Sequence, residues 1–145
     1  MKSLRTHFAQ DRSGSVAVEF ALLAPTLITM LLGIFQIGIG MHNYNALRSA
    51  SADIARYAVV CYQTLNQTCN EDSEFETWAR TRATASPYNL IGSRLTVNVD
   101  AVVTPRVAGA LEKTITLQYS VPSVLSMIGF NDIVLNYTRP VFLVS

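Results

Sequence analysis

Two spacings in this chain bring together residue types that can do chemistry. Gly14 stands five residues before Glu19, an acid at the head of a long apolar run, and Cys61 and Cys69 stand with seven residues between them. Ser13, Gly14 and Ser15 are small residues standing before the apolar run, which leaves a processing site on the cytoplasmic side of the membrane open. A carboxylate within a membrane costs about 2.5–3.5 kcal/mol at the helix centre on insertion scales, so Glu19 marks a function unless it rests, solvated, among the lipid headgroups. The two cysteines can close a small disulfide ring worth about 2.5 kcal/mol less strain, or remain two free thiols.

Other chemistry finds little support. His7 and His42 are the two histidines and lie far apart, so neither a metal site nor a Ser-His-Asp arrangement is expected. No phosphate-binding glycine loop is present, and no catalytic residue, metal or cofactor is assigned. Glu71, Asp72, Glu74 and Glu76 lack the ligand alternation of a calcium loop and read as the negative start of a helix, with Arg80 and Arg82 as solvated partners of those acids.

These residues need elements to hold them, and the composition says which. The chain has 145 residues, enough for one ordinary domain, with 50% hydrophobic and 14% charged residues against the usual quarter charged. Eleven basic and ten acidic side chains give no electrostatic footprint for nucleic acid. The apolar excess is concentrated in residues 20–41, a run of 22 with no charge and with Gln36 as its one strongly polar side chain. As a helix it would cover about 33 Å, which matches a hydrocarbon core of about 30 Å. A single transmembrane helix is expected, since a buried core helix of that length could not be surrounded by so small a domain. Lys2, Arg5 and Arg12 against Asp11 precede the run and keep the N-terminus cytoplasmic by the positive-inside rule, so the C-terminal part is exported to where disulfides are permitted. An ordinary signal peptide fits less well: the run exceeds an h-region of 7–15 residues and no small-x-small site follows it.

The run Arg12-Ser-Gly-Ser-Val-Ala-Val-Glu-Phe-Ala-Leu-Leu-Ala-Pro25, with Leu31-Leu-Gly-Ile-Phe-Gln-Ile-Gly38 after it, resembles the N-terminus of TadE-like proteins, the minor pilins or pseudopilins of the tight-adherence pilus. The likeness continues weakly to Ala55-Arg56-Tyr57-Ala58, where Ile54 replaces a frequent glycine, and covers roughly a third of the chain. It implies cleavage by a prepilin peptidase after the glycine that precedes four residues and a Glu-Phe pair, here between Gly14 and Ser15, ahead of Glu19-Phe20; with no side chain, Gly14 can lie extended in a peptidase site at the membrane face. It further implies that Glu19 pairs with the free amine of a neighbouring subunit and sets axial register. Partners would be the major pilin, other minor pilins, the prepilin peptidase and an inner-membrane assembly platform. Major subunits of this pilus are very short, so the length implies the minor class.

Apolar residues at Leu47, Ala50, Ile54, Tyr57, Ala58 and Cys61 recur at three and four, so the helix is expected to run on to about residue 62. Pro25 removes a donor and clashes with the Ala21 carbonyl, which predicts a kink. Ser73-Glu-Phe-Glu76 has a capping-box pattern for a second helix ended by Pro87. Alternation predicts strands at 94–103 and 114–122 and a last one at about 133–142, with Pro140 fitting an edge; 104–113 is expected to be a surface loop. The fold expected is α+β: leader 1–14, helix 15–62, and an exported domain 63–145 with a three-stranded antiparallel sheet and one more helix. The function expected is a minor pilin in an inner membrane or pilus, performing no reaction. The alternative is an uncleaved single-pass protein whose sheet and 104–113 loop bind a ligand or envelope protein; the two differ at Gly14.

Overall fold

The structure is a computed structural model that describes residues 13–63, 71–126 and 129–143. Residues 1–12 of the leader and residues 64–70 after the long helix, Cys69 among them, lie outside the described residues.

A single helix, α1 (Ser13–Gln63), forms the backbone of the molecule, two residues longer at its start than the expected 15–62. It is continuous through Pro25, whose carbonyl accepts the Thr29 hydroxyl at 2.8 Å. Along α1 the side chains change surroundings abruptly. Residues 14–35 are exposed or half-buried despite their apolar character, whereas from Gln36 a stripe through Leu47, Ala50, Ile54, Ala58 and Cys61 is buried. The three-and-four spacing of this stripe puts it on one face, and that face is one wall of the core.

The second helix, α2 (Asp72–Thr84), begins where it was expected, near Asp72 or Ser73, but Ser73 lies inside it and is not its cap. Glu71 is its N-cap and makes no side-chain cap, while Glu76 reaches away from the helix start to accept the Val99 amide at 2.8 Å. A strand edge supplied a stronger claim on that carboxylate than the helix terminus did. Asp72 and Glu74 in the first turn and Arg82 in the last still complement the helix dipole.

A short 3-10 turn, Gly92–Arg94, leads into an antiparallel sheet in the order β1 (Leu95–Ala101), β2 (Leu111–Val121), β3 (Ile133–Leu143). Alternation dictates its faces: Leu95, Val97 and Val99 pair with Tyr119, Leu117 and Ile115, and all six are buried beneath the helices. Leu135, Tyr137, Val141 and Leu143 continue that inner face on β3. The opposite face carries Thr96, Asn98, Thr116, Gln118, Asn136 and Thr138. α1 packs over β2 and β3 and α2 over β1, which gives two layers around one core. The α+β class and three-stranded sheet are as expected; β2 starts at Leu111, which shortens the expected 104–113 loop to 102–110.

The two sheet edges are managed differently. On β1, α2 satisfies open backbone groups, with Glu76 on the Val99 amide and Arg80 donating to the Leu95 carbonyl. β3 carries Pro140 opposite Thr114, an edge position where a missing N–H costs no ladder bond.

Candidate functional site

The surface best suited to function is the N-terminal part of α1. Val16, Phe20, Leu22, Leu27, Met30 and Phe35 are each more than half exposed, so about six helical turns of apolar side chain have no cover within the chain. A helix of 18 residues or more with this hydropathy is long and apolar enough to cross a membrane.

At the head of that surface, Ser15 Oγ donates to Glu19 Oε1 at 3.3 Å, one turn apart. The four ion pairs among the described residues leave Glu19 out, so its charge has no cation of its own chain within reach there. The Gly14–Ser15 bond lies in the first turn of α1, where four N–H groups lack intrahelical partners. Serine and glycine are weak helix formers, so unwinding this turn to expose the bond costs little. Nothing lies within 4 Å of where a Gly14 side chain would begin.

Gln36 sits at the other end, and its importance was hidden in the sequence. It is 6% exposed, its Oε1 accepts the Val124 amide at 2.8 Å, and its Nε2 donates to the Pro122 carbonyl at 3.3 Å. The one amide in a 22-residue apolar run thus satisfies two backbone groups of the β2–β3 turn. Its signal in sequence was its isolation, because an amide in apolar surroundings needs partners.

Beyond Gln36 the domain is locked to α1 by polar contacts. Tyr88 donates to Asp53 Oδ2 at 2.6 Å and Arg82 pairs with the same oxygen at 3.2 Å, stacked 5.6 Å over the Tyr88 ring. The Tyr88 hydroxyl, then Arg82, hold the Asp53 carboxyl below its ordinary range, while desolvation and Asp53 push the Tyr88 phenol up. Arg82 therefore serves the long helix, and Arg80 the β1 edge, in place of the acids of their own helix. Asp72 pairs with Lys113 on β2. Tyr57 stacks on Trp78 at 3.7 Å and 13°, which joins α1 to α2.

Cys61 is buried on the core face of α1, and no free cysteine occurs among the described residues. The bridge expected to Cys69 involves a residue outside the described ones.

The 102–110 loop is less free than its sequence suggested. Glu112, 1% exposed, accepts the Arg106 amide through Oε2 at 2.8 Å and Arg106 Nε through Oε1 at 2.8 Å, and Arg106 also covers the Phe142 ring at 5.5 Å. Glu112 and Phe142 lie on the outer sheet face, which the loop folds back to cover. The Arg106 guanidinium, then its amide, hold the Glu112 carboxyl below its ordinary range. Nothing in the sequence pointed to this, since Glu112 fell within the expected 104–113 surface loop and not on a strand. Among the described residues no group of three or more His, Cys, Asp or Glu is placed to hold a metal ion.

Residues 14–56 match the family model described as TadE-like protein, so the resemblance read from Gly14, Glu19-Phe20 and the apolar run holds over 43 of the 145 residues. No curated protein and no solved structure matches the chain. The matched span begins at Gly14 and ends two residues past Ile54, within the buried stripe of α1; it takes in the exposed apolar segment whole and none of the sheet.

Proposed function

We propose that this chain is a minor pilin of a tight-adherence pilus, anchored by α1 in the inner membrane with its sheet domain exported, trimmed between Gly14 and Ser15 by a prepilin peptidase, and then packed against other pilins. The observation that carries this reading is the uncovered apolar half of α1, headed by a carboxylate that pairs with no cation among the described residues, and coincident with the TadE-like match. Such a surface is costly in water and stable in two settings, lipid and a bundle of like helices. A pilin occupies both in turn. Cleavage removes the basic leader, three of eleven basic and one of ten acidic side chains, and leaves eight against nine. It frees an amine at Ser15 and removes the charges that hold the N-terminus on the cytoplasmic side.

Between adjacent subunits, Glu19 of one chain and the Ser15 amine of the next would offset each other's desolvation. The chief product of such a pair is register, since a buried ion pair adds little net stability. The work of the domain 63–145 is then to present a folded surface at a fixed height on the helix, without any reaction.

Mass spectrometry of the N-terminus tests this. Coexpressed with the peptidase, the wild-type chain should begin at Ser15 and Gly14→Leu should keep its full mass. A mature species of unchanged mass from Gly14→Leu rules out this cut, and a wild-type chain that is never trimmed favours a tethered binding module instead.

A further inference from the structure

The β2–β3 turn lies at the end of the domain nearest the uncovered part of α1, as four contacts along the helix show. Val124 is bonded to Gln36. Ile133 lines a groove with Ile37, Gly40 and Met41. Tyr137 meets Tyr44 edge to face at 6.0 Å, and Val141 and Leu143 line a small cavity with Ala58 and Tyr62. β3 therefore climbs α1 away from residue 36, and the described residues of the turn that precedes it, 122–126 and 129–132, lie at the end of the domain nearest that residue.

Three large apolar side chains at this turn and its junction with β3 are exposed. Phe130 is 59% exposed, and Val124 and Ile133 are exposed as well. The turn is also built to hold this presentation. Gly129 takes a positive φ of 91°, and the Phe130 amide donates to the Leu125 carbonyl at 3.3 Å. Asp132 Oδ1 accepts the Ser123 amide at 3.0 Å, and its Oδ2 pairs with Arg94 at 2.8 Å, so the one acid beside the patch is neutralised.

Helix geometry fixes where the membrane must be. A hydrocarbon core of about 30 Å needs about 20 residues of helix, and more when the helix tilts. If the span is 20–41, its last six residues are the ones on which the turn is seated, and the turn lies within the lipid. If the span slides back to begin at Ser15, it still ends at about residue 35, beside Gln36. The turn meets the bilayer in either register.

We propose that the β2–β3 turn is a second membrane contact, with Val124, Phe130 and Ile133 inserted into the interface of the leaflet on the domain's side. The inference rests on the reading that α1 spans a membrane. Its occupant is lipid, because Ile133 shares a groove with the exposed Ile37 and Met41 and so joins the patch to the apolar surface of α1 that the spanning reading gives to lipid. Two contacts in place of one prevent the domain from tilting freely on its helix, and they fix the height at which an unassembled subunit waits.

Bromolipid quenching in vesicles of phosphatidylcholine and phosphatidylglycerol tests this with the full chain. Trp78→Phe gives a background without tryptophan, into which Phe130→Trp, Ile133→Trp, Leu27→Trp as a mid-span control and Val103→Trp as a distal control are placed singly. Val103 is 96% exposed in the loop at the far end of the sheet. Phe130→Trp and Ile133→Trp should lose at least half their emission to lipids brominated near the headgroup, Leu27→Trp should be quenched most by deeper bromines, and Val103→Trp should be unaffected. Quenching of Leu27→Trp without quenching of the two turn probes overturns the second contact and leaves the spanning helix in place. Quenching of none overturns the spanning helix and the inference with it. Turn probes shielded from bromolipid and from acrylamide alike are covered by protein, a second copy included, which also overturns it.

Discussion

Replacing Gln36 by leucine tests how the domain is seated on α1. Leucine is the natural residue for an apolar helix and has similar volume, so the helix itself should not suffer. The turn should. The change strands the Val124 amide and the Pro122 carbonyl, which meet Gln36 at 2.8 and 3.3 Å at a site 6% exposed. A buried polar group left without a partner costs about 1–3 kcal/mol, the shorter bond carrying more of it, so the pair comes to about 3 kcal/mol. Added apolar burial by leucine returns about 1 kcal/mol. The net of about 2 kcal/mol corresponds to about 30-fold in the opening equilibrium of the turn. Hydrogen–deuterium exchange on the full chain in detergent micelles reads this directly: amides around Val124 should exchange about 30-fold faster, while those of β1, held by β2 and α2, should stay within about threefold. Unchanged exchange at Val124 would show that Gln36 does not seat the turn. Equal acceleration across β1 and the turn would show that the site is not local.

Glu19→Ala should insert and be cleaved as the wild type is, yet fail to co-purify with sheared pili; recovery at wild-type yield would reassign the acid to the lipid headgroups. Alkylation of the exported protein without reductant should label neither Cys61 nor Cys69, and labelling of both would remove the proposed bridge. Acid should weaken the domain: the Arg106 guanidinium lowers the Glu112 carboxyl, and the Ser123 amide, then Arg94, lower that of Asp132. A depressed folded value contributes stability above the ordinary carboxylate range of about 4 that is lost as pH falls through the folded value, so the thermal midpoint should decline below about pH 4. The decline should be shallower in the double variant Glu112→Gln, Asp132→Asn, and an equal decline in both proteins would place the acid sensitivity elsewhere. Ile54→Ala, at a fully buried position, should cost about 2–5 kcal/mol and be read as a lowered midpoint of the domain.

Periodic features of this chain were legible before any coordinates. The stripe of Leu47, Ala50, Ile54, Ala58 and Cys61 and the alternation of Leu95, Val97 and Val99 express how helices and strands present side chains, so both fell where expected. What was not legible depends on residues far apart in sequence. Glu76 forms a plausible capping box with Ser73 until β1 arrives 23 residues later with an unpaired amide. Gln36 and Val124 are 88 residues apart. Arg82 looks like a partner for the acids of α2 until Asp53 and Tyr88 are beside it. Local pattern says which face a residue lies on, and only the tertiary fold decides which of several polar partners it meets. At the N-terminus the reverse holds: Glu19 stood out as an acid at the head of an apolar run and Gly14 through the family resemblance, and among the described residues Glu19 meets only the Ser15 hydroxyl, as the proposed function, which gives it a partner in another chain, would have it.

α1 and β3, the first and last elements, pack directly against each other, and Val141 and Leu143 join Ala58 in the same core. Contacts between residues so distant in sequence form only after a large loop has closed, which makes them late in folding. While β3 has yet to emerge, the stripe of Leu47, Ile54 and Ala58 is covered only in part, by α2 and β2. β3 is in this sense the closing element of the domain: until it docks, α1 keeps part of a greasy face on display for proteases and chaperones.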